Sequence, residues 1–173
     1  MSELIMKDVC YFYQKNKMVL ENLSFQFEEG KIYAIRGKSG AGKTTLLSIL
    51  SKLTSPSSGD IYLDDISLKD IDQYHYRSKQ IGVIFQSYNL LPQLNAIENV
   101  VLSMDIANIK IKDKKAEAIS LLKKVGLEES DMYRKILKLS GGQQQRVAIA
   151  RALSYDAKFI LADEPTRICK LGV

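Results

Sequence analysis

Gly37-Lys38-Ser39-Gly40-Ala41-Gly42-Lys43-Thr44 matches the spacing G-x-x-x-x-G-K-[ST]. In such a segment the glycines let successive backbone N–H groups converge on phosphate oxygens, and the start of a following helix adds a favourable field for anions. Lys43 is long enough to reach β and γ phosphates, and the Thr44 hydroxyl can ligand Mg²⁺. Farther along, Asp163 and Glu164 close the apolar run Phe159 to Ala162. Carboxylates at the carboxyl end of a parallel strand face the ligand crevice. Asp163 therefore reads as a group that holds Mg²⁺ through water, and Glu164 as a general base that orients and polarises an attacking water. A second glycine-rich segment, Ser140-Gly141-Gly142-Gln143, carries a capping box between Ser140 and Gln143, with small residues that let an anion approach a helix start. One nucleotide site does not need two such loops. The economical explanation is that the second serves a nucleotide held mainly by another subunit.

These groups need strands and helices to position them. Lys31 to Arg36 (KIYAIR) is predicted as a strand running into Gly37, and Leu46, Ile49, Leu50 and Leu53 follow at i, i+3, i+4, i+7, a helix spacing. Leu23 to Phe27 alternates apolar and polar residues like a half-buried strand, and Glu28-Glu29-Gly30 turns the chain. A turn at Ser57-Ser58-Gly59 precedes a strand over Ile61 to Leu63, and Ile81 to Phe85 reads as another, ending at Gln86. Asn95 and Glu98 make a capping-box pattern before Ile97, Val100, Val101 and Met104 at helical spacing, and a further helix is predicted from Asp113 to Val125, stopped by Gly126. In the helix after Ser140, Val147, Ala150 and Ser154 share a face. No internal repeat or low-complexity linker interrupts the chain. The alternation of strands and helices around a glycine loop predicts an α/β fold with a largely parallel central sheet.

Composition agrees with one globular domain: 173 residues, 46% hydrophobic and 26% charged. The 25 Lys and Arg against 20 Asp and Glu give a formal charge of +5, which suits phosphate ligands and does not by itself call for nucleic acid as a partner. No window reaches the roughly 18 consecutive apolar residues of a membrane-spanning helix. The start, MSELIMKDV, mixes charges into its apolar residues, unlike a signal peptide. A cytoplasmic chain is the expectation. Cys10 and Cys169 have neither ligand-like nor redox spacing and read as reduced thiols.

LSGGQ, ahead of the Asp163-Glu164 strand by one short helix, is the signature of the ABC ATPase family, and the chain resembles that family over essentially its whole length to Thr166. The resemblance implies a P-loop NTPase of ABC-type architecture. It would have a mostly parallel core sheet (about 1–86 and 147–166), a small antiparallel β subdomain and an inserted helical subdomain (about 87–146), in a single domain 1–173. It implies ATP and Mg²⁺ as ligands, with Gly37 through Thr44 and the neighbouring Thr45 around the phosphates, and Lys43 among the catalytic groups. Gln86, in VIFQ, falls at the family's Q-loop glutamine, which contacts Mg²⁺ and the water and relays to the membrane subunit. Tyr13 falls at the aromatic that stacks on adenine, a contact worth about 1–3 kcal/mol by analogy with base stacking, with Tyr11 as a rival. The implied partners are a transmembrane permease subunit and a second ATP-binding subunit. In that head-to-tail dimer, the P-loop of one subunit and Ser140, Gly141, Gly142 and Gln143 of the other sandwich each ATP. SYNLLPQLNAIENV and the ADEPT ending look most like the subfamily of lipoprotein release and of macrolide and antimicrobial-peptide export. The chain would then sit on the inner face of the cell membrane through its permease.

The likeness is dense through Thr166 and stops at Arg167, as a frameshift, a premature stop or a truncation would produce. The family's D-loop is not recognisable in the divergent tail 167–173, and His75, the sole histidine, lies too far upstream to be the switch histidine. The expectation is that ATP- and Mg²⁺-binding groups are mostly present while sustained hydrolysis is impaired. A nonhydrolytic ATP-binding remnant is thus the alternative to an active ATPase. A chromosome-maintenance ATPase would carry a long coiled coil between Gly37 and Leu139, and no sustained heptads lie there.

Overall fold

The computed structural model describes residues 2–14 and 17–164. The chain divides into two compact units between Arg77 and Ser78.

The first unit is built on an antiparallel sheet. Strands β1 (Glu3–Gln14), β2 (Lys17–Glu28), β3 (Ser58–Leu63) and β4 (Ile66–Ser67) lie in the order β2-β1-β3-β4. The alternating segment Leu23 to Phe27 falls inside β2 as expected. Gly59 belongs to β3 rather than to the predicted turn. Its φ is +79°, and a Cβ there would stand 2.3 Å from the Asp8 carbonyl oxygen, so close approach of β1 requires glycine. Helix α1 (Lys43–Leu50) buries Leu46, Ile49 and Leu50. Leu53 lies beyond it, because Ser51 ends the helix and Lys52 turns to φ 55°. A short helix α2 (Gln73–His75), capped by the Asp72 carboxylate, leads into π-helical residues Tyr76–Gln80. The Tyr76 hydroxyl donates to the Leu50 carbonyl at 2.7 Å, and burial pushes its pKa up.

The predicted strand over Lys31 to Arg36 does not form: these residues carry no regular structure, and Ile32 is fully exposed. A strand exists only through its ladder, and this run has no strand partner among the described residues. What it does make is local. Tyr33 packs edge-on against Phe25 and Phe27 at 5.6 and 5.2 Å, and its hydroxyl accepts from Glu28 N–H. These aromatics, with Met6, Leu20 and Leu46, line an apolar hollow of about 360 Å³.

The second unit pairs β5 (Ile81–Ile84) with β6 (Phe159–Ala162) in parallel, Ile81 opposite Phe159 through Ile84 opposite Ala162. Between them come α3 (Ala96–Ile106), α4 (Lys114–Lys124), α5 (Glu129–Met132) and α6 (Gly141–Ala152). The Asn95–Glu98 box and the Gly126 stop expected from sequence are present, whereas Asp113 and Val125, expected as the first and last residues of their helix, flank α4 as its caps. Asn95 and Glu98 exchange side-chain and backbone bonds, Asp113 accepts from Ala116 N–H, and Gly126, at φ +78°, follows the end of α4. Val100, Met104, Ala118, Leu122, Met132, Val147 and Ala150 form one buried cluster, each large side chain contributing about 1.5–3 kcal/mol. The α/β class is borne out.

Candidate functional site

The glycine loop 37–44 lies in the first unit. Gly40 and Gly42 hold φ +78° and +85°, and a Cβ on Gly42 would come 2.9 Å from Leu20 Cδ2 and Val19 Cγ1. Glycine here serves both the left-handed turn and contact with β2. As N-cap of α1, Gly42 offers no side-chain cap to the helix's first N–H groups. The Lys43 ammonium folds back over the loop and donates to the carbonyls of Gly37 (2.8 Å) and Lys38 (2.9 Å). Ala41 N–H also donates to Lys38 O, at 3.2 Å, closing a turn within the loop. Ser39 and Thr44 are exposed and Thr45 is buried. Tyr13, largely exposed, meets the Thr45 hydroxyl at 3.1 Å, and its ring stands edge-to-face with Tyr11 at 5.2 Å. Of the two tyrosines, Tyr13 is the one bonded to the phosphate-loop helix.

The carboxylates lie in the second unit. Asp163 N–H donates to Ile84 O at 2.9 Å, carrying the β5–β6 ladder one residue past its end. Gln86 and Asp163 therefore leave the same end of two adjacent parallel strands. A cavity of about 390 Å³ there is lined by Ile84, Phe85, Gln86, Tyr88, Gln145, Asp163 and Glu164. Asp163 is 9% exposed, while Gln86 and Glu164 are open to solvent and Glu164 sits at φ 49°. One buried carboxylate, one exposed carboxylate and two carboxamides around a cavity suit a hydrated divalent cation, and a carboxylate there can also take a proton.

Ser140, Gly141, Gly142 and Gln143 do not line that cavity. They open α6 with the expected capping box: Ser140 Oγ accepts from Gln143 N–H at 3.3 Å, and Gln143 Oε1 accepts from Ser140 N–H at 2.7 Å. The Gln143 amide also donates to the Asp131 carboxylate, which Arg134 pairs at 2.6 Å.

Sequence reasoning missed three residues. Gln145, 2% exposed, brings α6 into the carboxylate cavity, and Gln144 satisfies the carbonyls of Ile136 and Leu139. Arg151 bonds the carbonyls of Tyr88 and Asn89, and burial pushes its pKa down. No local pattern marks Gln145 and Arg151, since the groups around them come from far off in the chain, and the Gln144 bonds, five and eight residues back, follow no capping spacing. Nothing in the structure explains Arg36 just before the loop. Pro165, Thr166 and the tail 167–173 lie outside the described residues, as does Cys169; Cys10 is buried.

The family model described as ABC transporter matches residues 20–167. YclH of Bacillus subtilis, called an uncharacterized ABC transporter ATP-binding protein, is 42% identical over 167 residues, 96% of this chain and 74% of that protein. The lipoprotein-releasing system ATP-binding protein LolD of Hyphomonas neptunium is 42% identical over 151 residues, 86% of this chain and 66% of that protein. Among solved structures, the fold is similar to MJ0796 of Methanocaldococcus jannaschii, an ATP-binding cassette seen as a dimer in a post-hydrolysis state bound to ADP and Pi. That likeness has a TM-score of 0.88 at 38% identity, over 95% of this chain and 75% of the other.

Proposed function

The chain belongs to the ABC transporter family as one of its ATP-binding subunits, an ATPase by family, and from that premise we propose how its residues divide the work. The segment Gly37 to Thr45 holds the phosphates of ATP, with Lys43 exchanging its bonds to the loop carbonyls for bonds to β- and γ-phosphate oxygens. Tyr13 supplies the face on which adenine stacks. Thr44, Gln86 and Asp163 are the groups that hold Mg²⁺, whose charge neutralises the phosphate oxygens when bound. Glu164 orients a water for in-line attack and takes its proton. Ser140 to Gln143 address the nucleotide of a second ATP-binding subunit, a reading supported by the dimeric MJ0796 structure. Together with a permease, such a pair drives export or lipoprotein release across the membrane; the similarity to LolD supports the latter. No helix among the described residues is long and apolar enough to cross a membrane, and the permease would hold the subunit at its inner face.

The observation that carries this reading is the start of α1, a helix with no side-chain cap and an ammonium folded over its loop. The alternative of a nonhydrolytic remnant has less support, since the similar MJ0796 cassette was caught with hydrolysis products. Thermal unfolding tests the proposal. MgATP at a hundred times its Kd adds about 2.7 kcal/mol to native-state stability, and a midpoint that does not move with MgATP overturns it. Glu164→Gln is expected to keep that shift while lowering ATP turnover by about 10²–10⁴-fold.

A further inference from the structure

The turn just past Gln86 is built at a cost. Tyr88 and Asn89, neither of them glycine, stand in succession at φ 61° and 48°. The left-handed region is costly for Tyr88, whose Cβ crowds the following carbonyl oxygen, and milder for Asn89, a residue type that enters it more readily. Such strain persists only where the surroundings over-determine it.

Local bonds supply part of that determination. Tyr88 N–H donates to Phe85 O at 2.9 Å, Asn89 N–H to Ser87 O at 2.7 Å, and the Ser87 hydroxyl to Asn89 Oδ1 at 2.8 Å. The rest comes from α6. The Arg151 guanidinium donates from Nη1 to Asn89 O at 2.6 Å and from Nη2 to Tyr88 O at 2.8 Å, across 62 and 63 residues of chain. A planar fork meets two consecutive carbonyls at once, one from each terminal nitrogen, so both bonds share one fixed plane. Tyr88 in turn lines the carboxylate cavity beside Gln86.

Gln86 is thus held from two directions. On its N-terminal side, the β5–β6 ladder and the Asp163 N–H bond to Ile84 O fix the strand. On its C-terminal side, the fork fixes the turn. We propose that Arg151 is a positioning residue that acts through the strained Tyr88–Asn89 turn to hold the Gln86 carboxamide at the metal side of the cavity. Through Arg151, the placement of Gln86 is tied to α6, the helix that begins at Ser140. This rests on the reading of Gln86 and Asp163 as Mg²⁺-side groups.

The test is Mn²⁺ binding, followed by electron paramagnetic resonance on the full chain with a nonhydrolysable ATP analogue, so turnover is not needed. Arg151→Lys keeps the charge and loses the fork; Arg151→Gln is the second variant, and affinities are taken per folded molecule. Loss of a supporting contact at a metal site typically weakens binding about 10–100-fold. Arg151→Lys is expected to fall at the low end, about tenfold, and Gln86→Ala at least as far. Because Arg151 acts through Gln86, the double variant binds Mn²⁺ no more weakly than Gln86→Ala alone. A strut that merely stabilises the fold would move the unfolding midpoint and leave Mn²⁺ affinity alone. Wild-type Mn²⁺ affinity in both Arg151 variants, or losses that multiply in the double variant, overturns the inference while the metal-side reading stands. Wild-type affinity in both Gln86→Ala and Asp163→Asn brings down that reading, and the inference with it.

Discussion

Helices α1 and α6 both begin at glycines and both present an N-terminus that could take an anion, yet they are finished differently. At α1 the N-cap is Gly42, which contributes no side chain, and the cation nearest the loop bonds its carbonyls. At α6 the Ser140–Gln143 box occupies two of the orphan donors with the protein's own oxygens, and Asp131 anchors Gln143 in turn. A helix start that satisfies itself is more stable and less hungry for a ligand. On the proposed function, the first start takes the phosphate oxygens and the second makes a lighter contact through Gly141 and Gly142.

The comparison can be broken at α1 first. Lys43→Ala removes charged hydrogen bonds worth about 1.5–3 kcal/mol each, so ATP affinity is expected to drop by more than about 100-fold in a titration monitored by calorimetry; retention of wild-type affinity would mean that α1 is not the phosphate site. A smaller effect separates base from phosphate. Tyr13→Ala should cost about 1–3 kcal/mol of ATP affinity by analogy with base stacking, and tripolyphosphate affinity should not follow it. An equal loss for both ligands would show Tyr13 acting through Thr45 on the loop instead. The smallest effect lies at α6. Ser140→Ala removes a cap and should lower the unfolding free energy by about 1 kcal/mol in chemical denaturation. No loss there would mean that the box does not stabilise α6, and the contrast with α1 would fail.

The helix starts were legible because capping is local: Asn95 with Glu98 and Ser140 with Gln143 lie three residues apart. The glycine loop was legible for the same reason, since its shape comes from φ values that glycine alone adopts freely. Lys31 to Arg36 misled because a strand's apolar, β-branched character says what would suit a ladder and not whether one is there. Leu53 continued the helical spacing past the residue that ends α1, and Gly59, expected in a turn, sits where β1 comes too close for a side chain.

What the amino-acid sequence determined by itself, then, was which groups are present: a glycine loop ending at Lys43, paired carboxylates at a strand end, and a second, side-chain-capped helix start. Each is written within a few consecutive residues. The tertiary structure decided which of these groups meet. The β5–β6 ladder puts Gln86 at the same strand end as Asp163 across 77 residues of chain, α6 adds Gln145 to their cavity, and Arg151 reaches back to Tyr88 and Asn89. Hydrogen bonds and burial between distant segments depend on how the chain packs, and no spacing in the sequence encodes them.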